Sequence, residues 1–131
     1  MECLFCKIIA GEIPCRQVYA DDAALAFLDI NPVHPGHSLV IPRRHADDLL
    51  ADQTVLAEIA PAISATARLL VDKLGADGLN ILSSAGAIAG QEVFHLHVHL
   101  IPRTAAFPGV RQMLVREPIG DLDAIHARIV G

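Results

Sequence analysis

A chain of 131 residues, 53% hydrophobic and 19% charged, can bury a real core, and its composition excludes an intrinsically disordered protein. The net charge of −5 supplies no global basic field, so nucleic acid is not expected as a partner. No run reaches the roughly 18 apolar residues of a membrane span, so no membrane association is expected either.

The N-terminal MECLFCKIIAGEIP carries acidic Glu2 and no long apolar run, and does not read as an export signal. A cytoplasmic location is therefore expected, where Cys3, Cys6 and Cys15 stay reduced and serve as thiols or metal ligands. Within that segment, residues 3–10 fit a helical turn or two with Cys3 and Cys6 on one side, ended by GEIP. Residues 16–20 suggest a short strand, Asp21-Asp22 a turn, and residues 24–30 a buried strand. Asn31 to Gly36 is a loop on turn chemistry, and residues 37–43 are a strand with Pro42 near its end. Across 52–74, Val55, Leu56, Ile59, Ile63, Leu70 and Leu74 fit an amphipathic helix that Pro61 weakens or kinks and Gly75 stops. Residues 78–84 read as a strand, 85–91 as a glycine-bearing loop and 92–101 as a strand. Beyond Pro102 the pattern is loop-like until a short helix near 120–130, capped by Asp121. This order predicts an α+β fold over residues 1–131 as one domain: an antiparallel sheet of about five strands, one long helix on one face, and short terminal helices.

Three of the 7 histidines lie in VFHLHVHLIPR, residues 93–103, at every second position. Side chains alternate along a strand, so His95, His97 and His99 face one way and Phe94, Leu96, Val98 and Leu100 the other, free to be buried. On a helix the same histidines would spread around the cylinder. Three imidazoles on one face can share a metal ion. Alternatively they can work on a phosphate, one as nucleophile and another as hydrogen-bond donor, because neutral imidazole is available near pH 7.

H-φ-H-φ-H-φ-φ, here His95 to Ile101, resembles the signature of the histidine triad family of nucleotide hydrolases and transferases. Cys3 to Pro14 is similar to that family's opening segment. Ala26 to Pro32 followed by Gly36 to Pro42 resembles its central block, and Gly90-Gln91-Glu92-Val93-Phe94 leads into the triad. The resemblance covers residues 1–103, is nearest the Hint-like, protein-kinase-C-interacting-protein-like branch, and leaves the tail unassigned.

The resemblance implies that His97 attacks the α-phosphorus of a nucleotide conjugate, forming a nucleotidyl-histidine that water hydrolyses. His99 would donate to the phosphate or leaving group, with His37 completing the cluster. Asp29 matches the family's ribose-binding carboxylate. Ser84, where many members carry Asn, Gln91 and the main-chain N–H groups of Glu92 and Val93 would meet the phosphate, with Gly90 allowing close approach. The expected substrate is a purine nucleoside phosphoramidate such as AMP joined to an amine. A dinucleoside polyphosphate, or nucleotide binding with little turnover, are the alternatives. The resemblance also implies a structural zinc on Cys3, Cys6, His45 and His95, no catalytic metal, and a homodimer. Cys15, His34, His126, Arg43, Arg44 and Arg103 are read as packing or surface residues, the arginines with some capacity to attract anions.

Overall fold

The computed structural model describes residues 2–110, 118 and 120–131. In chain order the elements are α1 (Leu4–Ile9), β1 (Gln17–Ala20), β2 (Ala24–Leu28), β3 (Ser38–Pro42), α2 (Val55–Leu74), β4 (Gly78–Leu82), β5 (Val98–Arg103) and α3 (Leu122–Val130), with a 3-10 turn at Ala87–Ala89 between β4 and β5. The strands form one sheet in the order β1-β2-β3-β5-β4, antiparallel at every step. The α+β class, the five strands and the single long helix are those the sequence implies. Of the loop-like reading beyond Pro102, residues 111–117 and 119 lie outside the described residues.

The two sheet faces are built from alternate residues. Ala24, Ala26, Val40, Leu96, Val98 and Leu100 pack with α2 in one buried cluster. Leu25, Phe27, Leu39 and Ile41 pack with Phe5 of α1 in another. Strands β2 and β3 are therefore apolar throughout, because both faces are covered. From α2 the buried stripe is Val55, Ile59, Ala62, Thr66 and Leu70, at steps of four, three, four and four. Leu56 and Leu74, expected on that stripe, are exposed; Ala62 and Thr66 take the core positions.

The helix expected over 52–74 begins at Val55. Asp52 stands before it and accepts the N–H groups of Thr54 and Val55, satisfying donors that a helix start leaves open. Arg44 reaches Asp52 and Glu58, fixing the segment after β3 to the helix start. The helix runs through Pro61 and stops at Gly75, whose φ of +66° is open to glycine. Gly36 answers a tighter demand. Its φ is +90°, which favours glycine, and a Cβ there would lie 2.3 Å from Leu74 Cδ1, so a larger residue would also have to push the Leu74 side chain aside.

The strand expected over 92–101 is shorter at its start and ends later. In the β3–β5 register Val40 faces Val98 and Ile41 would face His97, so the next pair to exchange main-chain hydrogen bonds, two residues on, would be Pro42 with Leu96. Proline has no N–H to give the ladder. Pairing stops at Val98, and the Leu96 N–H turns instead to the Ala46 carbonyl at 2.7 Å. The alternation survives without the ladder, since Leu96, Val98 and Leu100 remain buried on the α2 face. Phe94 does not join them and is 47% exposed.

Thr66 Oγ1 is buried under α2 without a hydrogen-bond partner among the described residues. Thr66→Val, which removes that hydroxyl at constant shape, is expected to raise stability by about 1 kcal/mol. Thr66→Ser, which keeps the hydroxyl and loses the methyl, is expected to lower it. Urea unfolding midpoints of the two variants check both signs.

Candidate active site and a cysteine-histidine cluster

Among the described residues, the sheet face opposite α2 is covered by the six-residue α1, the segment after it and the loop at Val93, which leaves a cavity of about 540 Å³. Ile8, Phe27 and Leu39 give it apolar walls; Asp29, His97 and His99 stand at its polar end, beside Gly90, Glu92 and Val93. The period-two pattern thus delivers His97 and His99 to the same cavity, their rings 5.0 Å apart between centroids. His37 does not line it but stands behind His99.

Each ring is oriented by one committed nitrogen. His97 Nδ1 donates to the His95 carbonyl at 2.8 Å. In the neutral ring, Nε2 therefore carries the lone pair, and it belongs to a side chain that lines the cavity. His37 Nδ1 accepts the Val33 N–H at 3.0 Å, so the proton of neutral His37 is on Nε2. That Nε2–H donates to His99 Nδ1 at 2.9 Å. His99 in turn holds its own proton on Nε2. Asp29, His37 and His99 bring potential ligand atoms within 4.8 Å of one another. A metal on His37 Nε2 would have to displace that proton while Nδ1 remains an acceptor, so Val33, His37 and His99 form a hydrogen-bond chain that Asp29 only approaches, and not a metal site.

Burial pushes the pKa of both His37 and His99 down, His99 to about 4 with a further contribution from the neighbouring His97 and His37. The 3.5 Å approach of Asp29 to His37 is therefore a contact with a neutral ring near pH 7, not an ion pair. Asp29 also accepts the Asn31 N–H at 2.8 Å, which shapes the turn after β2.

Two expected cavity residues sit elsewhere. Ser84 is half-buried and outside the lining. Gln91 is buried, and its amide is used within the loop. Oε1 accepts from Gly86, and Nε2 donates to the carbonyls of Asp47 and Val93. It fastens the 86–93 loop to the segment carrying His45. At Gly90, a Cβ would meet nothing within 4 Å; glycine is required there by the φ of +101°. Arg43 and Arg44 bind Asp21 and Asp52, Arg103 binds Asn80, and none of the three lines the cavity. His34 meets Phe107 edge to face, His126 is exposed on α3, and Cys15 is half-buried at the cavity wall. The sequence reading did not single out Arg16, which lines the cavity, or Phe5, whose ring packs edge-on against His97 at 5.2 Å and His95 at 6.0 Å. The only available signal for Phe5 was its place between Cys3 and Cys6.

Cys3, Cys6, His45 and His95 converge beside Phe5, as the sequence implied, and could hold a metal ion. His95 Nε2 donates to the Pro42 carbonyl at 2.8 Å, and His45 Nε2 donates to Asp47 at 2.9 Å. Both rings thus turn an Nδ1 lone pair inward, and these lie 3.1 Å apart. Two facing lone pairs at that distance repel unless a cation lies between them. The sulfurs stand 3.3–3.5 Å from these nitrogens. Donors around a tetrahedral ion with bonds of about 2.0–2.3 Å are spaced similarly, at about 3.3–3.8 Å. The Cys6 N–H donates to the Cys3 sulfur at 3.3 Å.

Residues 10–106 match the HIT domain family model, and the chain belongs to that family. It is 41% identical over 105 residues to the adenosine 5'-monophosphoramidase hnt1 of Schizosaccharomyces pombe, covering 79% of this chain and 75% of that one. It is 44% identical over 103 residues to the adenylylsulfatase HINT3 of Arabidopsis thaliana, covering 78% of this chain and about half, 52%, of that longer one. The crystal structure of SMU.412c from Streptococcus mutans UA159 superposes with a TM-score of 0.86 at 43% identity, over 98% of this chain and 83% of that chain.

The lowered pKa of His37 and His99 makes stability depend on pH in one direction. Below the ordinary histidine value of about 6.5 the unfolded chain binds protons that the folded chain refuses. Stability is complete above that value and falls as pH drops toward the His99 pKa of about 4. Urea midpoints between pH 7 and pH 5 should decline, and less steeply in His99→Gln. Equal slopes would mean that His99 contributes nothing to the dependence.

Proposed function

We propose that this chain hydrolyses purine nucleoside phosphoramidates, AMP joined to an amine, through a nucleotidyl-histidine on His97. The observation that carries this is the commitment of His97 Nδ1 to a main-chain carbonyl, which leaves Nε2 as the nucleophilic atom of a cavity-lining ring. In the proposed reaction Nε2 attacks the α-phosphorus and the P–N bond breaks. The amine leaves with a proton, and water then cleaves the P–N bond to His97, returning a proton and releasing AMP. Splitting one displacement in two lowers each barrier. His99 Nε2–H donates to the phosphate or the leaving atom, and the N–H groups at Glu92 and Val93 serve the phosphate oxygens. Asp29 accepts from the ribose hydroxyls, and the apolar walls take the base. Ser84 and Gln91 are left out of the contact set, for the placements described above. The cytosol, with reduced thiols and nucleotide conjugates, is the proposed setting.

We further propose that the ion at Cys3, Cys6, His45 and His95 is zinc, in a structural role. Four protein donors fill a tetrahedral shell and leave no position for substrate, so no step of the reaction runs through it. Bound there, zinc ties α1 to the segments carrying His45 and His95. A homodimer is also proposed, because β4 lies at a sheet edge with Ile81 60% exposed and Leu82 exposed beside it.

Turnover is tested with radiolabelled AMP–alkylamine. Wild type is expected to yield a trapped nucleotidyl-enzyme and AMP, and His97→Ala to lose at least about 10³-fold in kcat and form no adduct. Faster turnover of a diadenosine polyphosphate or of adenylylsulfate would reassign the leaving group while keeping His97. The absence of any adduct from wild type would favour a nucleotide-binding role. For the metal, about one zinc per chain is expected by elemental analysis. Cys6→Ser and His45→Ala should each lose it and unfold at lower temperature than wild type.

A further inference from the structure

We infer that Ser83 is a positioning residue for the nucleophile, an inference that rests on the His97 reaction proposed above. The β4–β5 ladder ends at the pair Leu82 with His99. Continued in the same register, Ser83 would face Val98 and Ser84, two residues on from Leu82, would face His97, but the chains have separated there, and no β4 main-chain group pairs with His97. Ser83 Oγ–H donates to the His97 carbonyl at 2.8 Å instead. One hydroxyl thus supplies the bond that another residue of strand would have supplied.

This bond matters because of where it falls. His97 is 9% exposed, and its ring is tied by Nδ1 to the carbonyl of His95, two residues back along the chain. The ring is fixed against the preceding peptide, and the following peptide joins Val98, which pairs with Val40 of β3, but its carbonyl lies beyond the end of the β4–β5 ladder. Ser83 fixes that carbonyl. With both held, the Cα–Cβ direction of His97 has little freedom, and Nε2 keeps its line to a phosphorus atom in the cavity. Without Ser83 the ring remains in the cavity but its aim spreads. A nucleophile must be held near its attack geometry, and small misplacements lower the rate of the chemical step more than they lower affinity. Ser83 does not itself line the cavity and touches no reacting atom, so it acts only through His97.

The test uses the full chain, radiolabelled AMP–alkylamine and single-turnover kinetics on wild type, Ser83→Ala, Ser83→Thr and Ser83→Cys. Ser83→Ala is expected to slow nucleotidyl-enzyme formation and kcat about three- to tenfold, the effect of losing one neutral hydrogen bond. KM and the Kd for AMP should change less than about twofold. Ser83→Thr, which keeps the hydroxyl, should return kcat to within about twofold of wild type, and Ser83→Cys, a weaker donor, should fall between. If Ser83→Ala does not fold, the ordering of Thr above Cys carries the same test. Wild-type kcat in Ser83→Ala, or equal kcat in the Thr and Cys variants, would overturn the inference while leaving the His97 reaction standing. Kcat lost together with AMP affinity and not restored by Thr would also overturn it, because a merely structural role predicts that pattern. Failure of wild type to form any adduct overturns the underlying reaction, and the inference with it.

Discussion

The Nδ1–H of His97 donates to the carbonyl of His95, and on this one bond most of the site depends. An imidazole has two nitrogens and, when neutral, one proton, so engaging one nitrogen decides what the other can do. The same logic runs through the neighbouring rings. His95 commits Nε2 to the Pro42 carbonyl and turns Nδ1 toward two thiols. His37 commits Nδ1 to the Val33 N–H and donates its Nε2–H to His99. Main-chain groups thus set three histidines directly and His99 through His37, two toward the cavity, one behind them and one toward the cysteines. Residue 95 belongs to both halves: its ring joins the cysteine cluster while its carbonyl orients His97. Any ion held by the cluster reaches the chemistry mechanically, through the position of that carbonyl.

The sheet explains why there is a cavity to aim at. One face is sealed by twenty residues of α2 over small side chains such as Ala24 and Ala26. The other face receives the six residues of α1, too short to be a stable helix alone or to cover the sheet. What keeps α1 in place is Phe5, wedged against Phe27, His95 and His97, and the two cysteines that flank it in sequence. The short helix therefore covers part of this face and leaves a cavity lined by Asp29, His97 and His99. A longer helix here would bury more apolar surface and leave no room for a ligand.

Much of this was legible in the sequence because it follows from periodicity. The two-residue repeat of His95, His97 and His99, the helical repeat of Val55, Ile59 and Leu70, and Cys3 with Cys6 on one side of a turn all need only local geometry. The features that escaped depend on what lies across the fold. Strand β5 begins at Val98 because Pro42, more than fifty residues earlier, holds the next hydrogen-bonding position of the β3–β5 ladder and has no N–H to give. Gln91 reads as a ligand group beside a glycine, yet its amide meets carbonyls that loop closure brings to it. Leu56 and Leu74 match a helical stripe within tolerance, and only the angle at which α2 lies on the sheet favours Ala62 and Thr66 over them. Ser83 and Ser84 are indistinguishable in composition; the end of a ladder decides which one reaches His97.

Neutrality is the last constraint, and it works in favour of the proposed chemistry. Burial keeps His37 and His99 uncharged in the free protein, and among the lining residues Arg16 is the only arginine or lysine. An entering phosphate would therefore meet N–H donors more than formal charges. Its own negative charge favours the protonated form of an adjacent imidazole, raising the affinity of His99 for a proton as the substrate binds. Protonation then follows binding. A cavity that carried imidazolium in advance would hold free nucleotide product as firmly as substrate, and would set His97, whose Nε2 lone pair must stay available, against a permanent neighbouring cation. The hydrogen-bond chain from Val33 through His37 to His99 maintains the opposite state, with a donor ready on His99 Nε2 and no charge until an anion arrives.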